Sequence, residues 1–106
     1  MIRIKLVCAT GVSSNLLVDV LTRKTQDKKI HCEITASSIM NIQNAIDTSD
    51  VVILGPQYGY KLEDIQALAK NKCAIVTLKE YEYSSINADQ IIDKAIVSYN
   101  TFKNND

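Results

Sequence analysis

Charge of one sign is missing from this chain of 106 residues: twelve Lys and Arg are matched by twelve Asp and Glu, for a formal net charge of zero. That balance argues against a partner held mainly by electrostatics, so neither duplex nucleic acid nor an anionic membrane is expected. Cysteine is sparse, at positions 8, 32 and 73, an odd number with no CxxC pair, and His31 is the single histidine. Neither a disulfide framework nor a structural zinc site is expected, and any cysteine with chemistry to perform acts alone, through its own surroundings. Long hydrophobic runs are also absent. No stretch approaches the roughly 18 apolar residues that span a bilayer, and Met1 to Val7 lacks the features of a cleaved leader. A cytoplasmic protein without direct membrane insertion is expected. With no repeat, low-complexity tract or linker, the length fits one domain over residues 1–106.

What is present alternates between strand-like and helix-like segments. Ile2 to Val7 reads as a strand, and Ala9 to Ser14 as a Gly- and Ser-containing turn. From Asn15 onward Leu16, Leu17, Val20 and Leu21 recur at helical spacing, with Ser13 or Ser14 as the N-cap. Ile30, Cys32 and Ile34 alternate with His31 and Glu33, a pattern suited to an edge strand. Ile39, Ile42 and Ile46 mark a short helix capped by Ser37 or Ser38. Val51 to Leu54 is a continuous apolar run and reads as a buried strand. Leu62, Ile65, Leu68 and Ala69 give a third helix, and Ala74 to Leu78 a fourth strand. Asn87 with Gln90 resembles a capping box ahead of a last helix, whose stripe is Ile91, Ile92, Ala95, Ile96, Tyr99 and Phe102. Residues 103–106 should fray.

Such an order predicts an α/β fold, an open four-stranded parallel sheet with helices on both faces. Strand order 2-1-3-4 is favoured, because the second strand alternates while the third is uniformly apolar. Arg3 and Lys5 fit this order poorly, since it makes the first strand central. Ligands of open sheets bind beyond the carboxyl ends of the strands, where the winding reverses. Here that point lies between the first and third strands, flanked by Cys8 to Ser14 and by Gly55 to Tyr60.

The first of these loops, Cys8-Ala9-Thr10-Gly11-Val12-Ser13-Ser14-Asn15, joins a strand end to a helix start. A thiol there faces the positive end of a helix dipole and amide groups without helical acceptors, which favours the thiolate. The same amides suit a phosphate. Gly11 lets the backbone curl, and Thr10, Ser13 and Ser14 add hydroxyl donors. A cysteine at a strand end is most often a small core residue. Strand end, helix start, glycine and three hydroxyls in one segment reverse that expectation.

The segment resembles the Cys-x5-Arg-Ser/Thr phosphate loop of low-molecular-weight tyrosine phosphatases and related arsenate reductases, and the expected fold resembles theirs. Ser14, however, stands where those enzymes carry the arginine that clamps phosphoryl oxygens. A small cysteine phosphatase or arsenate reductase is thus the second reading. A third, a regulatory module without catalysis, is disfavoured by the intact Cys8 and Gly11.

Val7 to Ser14, continued by Asn15-Leu16-Leu17, is similar to the active-site loop of the lactose/cellobiose-type IIB proteins of the phosphoenolpyruvate-dependent sugar phosphotransferase system (PTS). Val52-Ile53-Leu54-Gly55-Pro56-Gln57 resembles that family's segment at the end of the third strand, and Tyr60 also fits. The resemblance implies a phosphotransferase component. A phosphohistidine of a IIA protein would phosphorylate Cys8, and phosphocysteine would pass the group to a sugar held by the membrane permease IIC. The sugar would be a β-linked disaccharide such as cellobiose, chitobiose or lactose. Neither a metal nor another cofactor is implied. The likeness weakens after the fourth strand, where Thr77 takes the place of an aspartate and Asn87-Ala88 replaces an Asn/Asp-Gly pair. Tyr81 or Tyr83 corresponds to the family's tyrosine there, in a loop bordering the site.

Other residues read as structural. Cys32 and Cys73 fall in or beside strands and are expected to pack. His31, Arg23-Lys24 and Lys28-Lys29 are expected to be solvated. Tyr58 and Tyr60 suit either a contact with IIA or IIC or local packing of their loop.

Overall fold

Four short strands, β1 (Ile2–Val7), β2 (Cys32–Ser37), β3 (Val51–Leu54) and β4 (Ala74–Thr77), pair in parallel in the order β2-β1-β3-β4. The structure is a computed structural model and describes residues 1–7, 11–70, 72–85 and 87–104, with the backbone alone for 11–14. Register runs Ile2 to Cys32 and Val7 to Ser37 on one side of β1. On the other it runs Ile4 to Val51 and Val7 to Leu54. The expected order and parallel sense are those observed.

Helices cover both faces. α1 (Gly11–Asp27) and α5 (Ala88–Asn104) lie over one, where Leu17, Leu21, Ile91, Ile92 and Ala95 meet Ile4, Leu6, Ile34, Ile53 and Val76. α2 (Ile42–Thr48) and α3 (Leu62–Ala69) lie over the other, where Ala45, Ile46, Ile65 and Ala69 meet Val7, Val52 and Leu54. All four β3 residues are buried because both layers use them. This is why the apolar run of β3 has no polar alternation.

The same layering accounts for Arg3 and Lys5. On the face of β1 that carries them, only Val7, at the carboxyl end, joins the buried layer under α2 and α3. At the amino end Arg3 turns to Asp50: its amide donates to the Asp50 carboxylate at 2.8 Å, and the guanidinium approaches the same oxygen at 3.5 Å. A central strand can carry polar residues where its covering helices stop short.

Three helix expectations need correction. α1 starts at Gly11, four residues before Asn15, so Ser13 and Ser14 lie in its first turn and neither is the cap. Serine costs only a few tenths of a kcal/mol in a helix, too little to delay one whose later turns are anchored by packing. The buried stripe of α1 is Leu17, Leu21 and Thr25, whereas Leu16 is exposed. Segment 79–86 also holds an unexpected short helix, α4 (Glu80–Ser85), and residues Pro56–Lys61 form a 3₁₀ turn.

Several finer expectations hold. Ser38 is the serine that caps the next element, a 3₁₀ turn over Ile39–Asn41, accepting from the Met40 amide at 3.1 Å. Asn87 Oδ1 accepts from the Gln90 amide at 3.2 Å ahead of the main body of α5. Lys24 and Lys28 are more than solvated charges. They reach Asp89 at 3.2 and 2.9 Å, and Lys28 reaches Asp93 at 3.5 Å, joining the end of α1 to the start of α5. No helix among the described residues is long and apolar enough to cross a membrane.

Because Ile53 belongs to the one strand buried by both layers, Ile53→Ala should cost about 2–5 kcal/mol of stability. Urea denaturation followed by circular dichroism measures this, and a loss below about 1 kcal/mol would contradict the packing described.

Candidate functional site

The carboxyl ends of β1 and β3 meet side by side. Beyond them the Gly55 amide donates to the Val7 carbonyl at 2.9 Å, so the pairing continues one residue past the sheet. Gly55 is extended (φ −62°, ψ 160°) and buried. Pro56 opens the 3₁₀ turn, a position that needs no amide donor. The Tyr58 amide then donates back to the Gly55 carbonyl at 3.0 Å. The Gly-Pro-Gln segment is therefore held against the residue that immediately precedes Cys8. Cys8, Ala9 and Thr10 themselves lie outside the described residues.

From the other side of the gap comes the first turn of α1. In helical geometry the amides of Gly11, Val12 and Ser13 have no acceptor within the helix. They form the positive end of a 17-residue dipole. Ser14 and Asn15 continue the helix, and Asn15 is exposed. No glycine among the described residues has a positive φ. The donors at this helix start thus come from an ordinary helix terminus, which suits an anion without special backbone geometry.

The four tyrosines that follow β3 and β4, Tyr58, Tyr60, Tyr81 and Tyr83, separate into two kinds. Tyr58 and Tyr83 are half-buried, Tyr58 against the layer of α2 and α3 and Tyr83 against that of α1 and α5. Tyr60 and Tyr81 face solvent, 78% and 56% exposed, and the Lys61 ammonium stands 5.7 Å from the Tyr60 ring centre. Gln57 is exposed and Pro56 half-buried. Two further exposed side chains, Leu16 and Met40, were not expected at the rim. Each of Leu16, Met40, Tyr60 and Tyr81 follows the carboxyl end of a different strand, so topology gathers an apolar rim at that end of the sheet. Leu16 directly precedes Leu17, which does pack, and Met40 has no periodic neighbour, so sequence pattern gives little sign of either.

Beside this rim stands a polar cluster that sequence reading missed. Glu82 is buried, with 3% of its side chain exposed, and its Oε1 accepts from the Lys79 amide at 2.8 Å and from Lys94 Nζ at 3.1 Å. Lys94 also donates to the Thr77 carbonyl at 2.7 Å. Burial pushes the Glu82 carboxyl up, but the Lys79 amide and the Lys94 ammonium outweigh it and hold the group below the usual carboxylate range. The available signal was Glu82 itself. It occupies the third position of α4 and reaches back to the amide before the helix, as the second half of a capping box does.

The two described cysteines are poor nucleophiles. Burial raises the thiol of Cys73 to about 11, helped by the charges of Asp50 and Asp47. Burial likewise raises that of half-buried Cys32. Both pack against the core, as expected.

Comparison with known proteins agrees with this geometry. The sequence model of the family described as "PTS system, Lactose/Cellobiose specific IIB subunit" matches residues 3–94. The cellobiose-specific phosphotransferase IIB component from Borrelia burgdorferi superposes with a TM-score of 0.77 at 27% identity, covering 94% of this chain and 93% of that one. The lactose-specific IIB component domain from Streptococcus pneumoniae gives a TM-score of 0.76 at 14% identity, over 88% of this chain and 96% of that one, a likeness of fold alone. With nearly the whole length matched and the strand order in place, the chain belongs to the lactose/cellobiose-specific IIB family of the sugar phosphotransferase system.

Proposed function

We propose that this protein is a single-domain, cytoplasmic phosphocarrier whose acceptor is the Cys8 thiolate. The observation that carries the reading is the Gly55 amide bonded to the Val7 carbonyl. It seats one family segment against the residue before Cys8, while the unpaired amides of α1 begin three residues after it. Cys8 is then bracketed by a strand terminus and a helix terminus, where a thiol loses its proton readily.

On this reading the thiolate attacks the phosphorus of an N-phosphohistidine on a IIA partner. The S–P bond forms as the P–N bond breaks, and the histidine leaves neutral after taking up a proton. In the second step a sugar hydroxyl held by the IIC permease attacks the same phosphorus and gives up its proton to a base beside it or to water. The S–P bond breaks and Cys8 departs as thiolate. The Gly11, Val12 and Ser13 amides, with the hydroxyls of Thr10, Ser13 and Ser14 and the backbone of Ala9, hold the phosphoryl oxygens through both transfers. The absence of an arginine at position 14 keeps water attack slow, which a carrier requires and a phosphatase does not. The apolar rim of Leu16, Met40, Tyr60 and Tyr81 serves as the surface on which IIA and IIC alternate. Of the sugars the family handles, the 27% identity to a cellobiose-specific component favours a β-linked disaccharide.

Incubation with phosphoenolpyruvate, the general phosphotransfer proteins and the cognate IIA should add one phosphoryl group, lost on addition of IIC and sugar. Cys8→Ser should accept none and retain the parent's circular dichroism. Intact mass and peptide mapping measure this, and a phosphorylated Cys8→Ser would remove Cys8 from the mechanism.

Thiol reactivity gives an independent check. At neutral pH iodoacetamide should modify one thiol quickly in the folded protein and all three in denaturant. The fast phase should vanish in Cys8→Ser. Rapid modification of Cys32 or Cys73 would contradict their raised values.

A further inference from the structure

β4 is an edge strand, and its outer side has no neighbouring strand. The Ala74 and Leu78 amides donate to the Asp50 and Leu54 carbonyls on the β3 side, each at 3.0 Å. By alternation along a parallel ladder, Ile75 and Thr77 therefore turn their amides and carbonyls outward. The segment Cys73-Ala74-Ile75-Val76-Thr77-Leu78 holds no charge, proline or glycine, and Ile, Val and Thr are strong strand formers. Such a segment on an open edge is a template for pairing with its own copy. The opposite edge differs, since β2 carries exposed Glu33 within the strand. Beside β4 a groove of about 390 Å³ opens between α3 and α5, with Gln66, Ala69, Ile75, Val97 and Phe102 in its wall. None of the described residues lining it is charged, and Val97 is 63% exposed. A two-fold meeting of two copies there sets no like charges against each other.

Two copies meeting antiparallel around Ile75 would pair these outward groups with one another. Ile75 exchanges both bonds with Ile75 of the second copy, and Thr77 then lies opposite Cys73 of that copy. In this register the Cys73 amide needs the Thr77 carbonyl. Lys94 already occupies it: Nζ donates to the Thr77 carbonyl at 2.7 Å, and Glu82 Oε1, at 3.1 Å, holds the ammonium there. The two-fold repeats the block at the other end of the pairing. Lys72 and Lys79 flank the segment, but the Lys72 ammonium is turned to Asp47 at 3.1 Å. We propose that the outer edge of β4 is a self-pairing surface for a second copy of this chain, and that Lys94 keeps it shut by holding the Thr77 carbonyl. Pairing has to displace the ammonium or bury it, and a buried charge with too few partners is strongly disfavoured. This role concerns association alone and does not depend on the carrier reading.

The test is sedimentation of the full chain at neutral pH over a wide concentration range, with amide hydrogen exchange read residue by residue. The parent should stay monomeric, with the Ile75 and Thr77 amides exchanging quickly and the Val76 amide slowly. Lys94→Met should keep the parent's circular dichroism yet double its apparent mass as concentration rises. In that dimer the Ile75 and Thr77 amides should exchange more slowly by roughly tenfold or more. Lys94→Arg, which keeps a cation at the carbonyl, should stay monomeric. Ile75→Pro added to Lys94→Met removes an outward amide without touching the ladder to β3, and should restore the monomer. Lys94→Gln, neutral yet polar beside Glu82, is made alongside and should self-associate as Lys94→Met does. Ile46→Val, in the layer of α2 and α3, controls for lost stability and should remain monomeric. A monomeric Lys94→Met, association without new protection at Ile75 and Thr77, loss of Val76 protection on association, or equal association of Ile46→Val would overturn the proposal. So would a parent that pairs through this edge with Lys94 in place. Failure of both neutral variants to fold would overturn it too, by making Lys94 a folding residue.

Discussion

The pairing of β1 with β3 is the constraint from which the site follows. These strands are neighbours in the sheet but not in sequence, because the chain winds from β1 to β2 in one direction and then returns past β1 to build β3 and β4 in the other. Connections leave β1 and β3 toward opposite faces, the arrangement beyond whose strand ends open sheets bind their ligands. The register that sets Val7 beside Leu54 also brings the Gly55 amide to the Val7 carbonyl. A slip of one residue would turn Val7 and Leu54 out of their layer. The burial of Val51, Val52, Ile53 and Leu54 therefore holds the register, and the register places the loops.

Electrostatic selection among three cysteines follows from the same layers. Cys73 stands just before β4 in the layer of α2 and α3, and Cys32 begins β2 at the margin of the other core, so burial draws both from water. Burial then disfavours the thiolate. Cys8 differs by position along its strand. It follows the carboxyl end of β1, whereas the other two stand at amino ends. In a parallel α/β sheet the helix that follows a strand presents its amide end to that strand's carboxyl terminus. One end of the sheet favours anions at every crossover, and of the three cysteines Cys8 alone follows a strand's carboxyl end in sequence.

The strand order could be read directly from apolar pattern because burial on two faces, one face or an edge leaves different marks. Val51 to Leu54 has no polar break, whereas Cys32 to Ser37 alternates. Helix boundaries were less legible. Whether Gly11 to Ser14 is loop or first turn depends on packing several residues later, at Leu17 and Leu21, and serine is too neutral to decide it. α4 was missed because its stabilising partner, Lys94, lies on another helix, and local sequence records only the Glu82 half of the contact. Leu16 recurs at helical spacing with Leu17, Val20 and Leu21, and a stripe of apolar residues one position too wide looks the same as a packed one until the opposite surface is known.

On the carrier reading, the neutral character of the phosphate site has a reason of its own. A phosphatase stabilises the transition state for water attack, and a fixed arginine does this through a full charge and two parallel hydrogen bonds. A carrier must instead take the group from one partner and release it to another. An arginine held permanently against the phosphoryl oxygens would deepen the intermediate state and help water as well as the sugar. Backbone amides and hydroxyls bind the same oxygens with partial charges, so the intermediate stays shallow and each transfer is completed only by what the docked partner adds. Discrimination then moves from the loop to the encounter surface. There Leu16, Met40, Tyr60 and Tyr81 supply contact area without net charge, consistent with a chain whose acidic and basic residues cancel. A carrier that must let go of each partner after transfer is served better by such a surface than by strong complementary fields, since affinity there rests on the fit of a few ordered side chains.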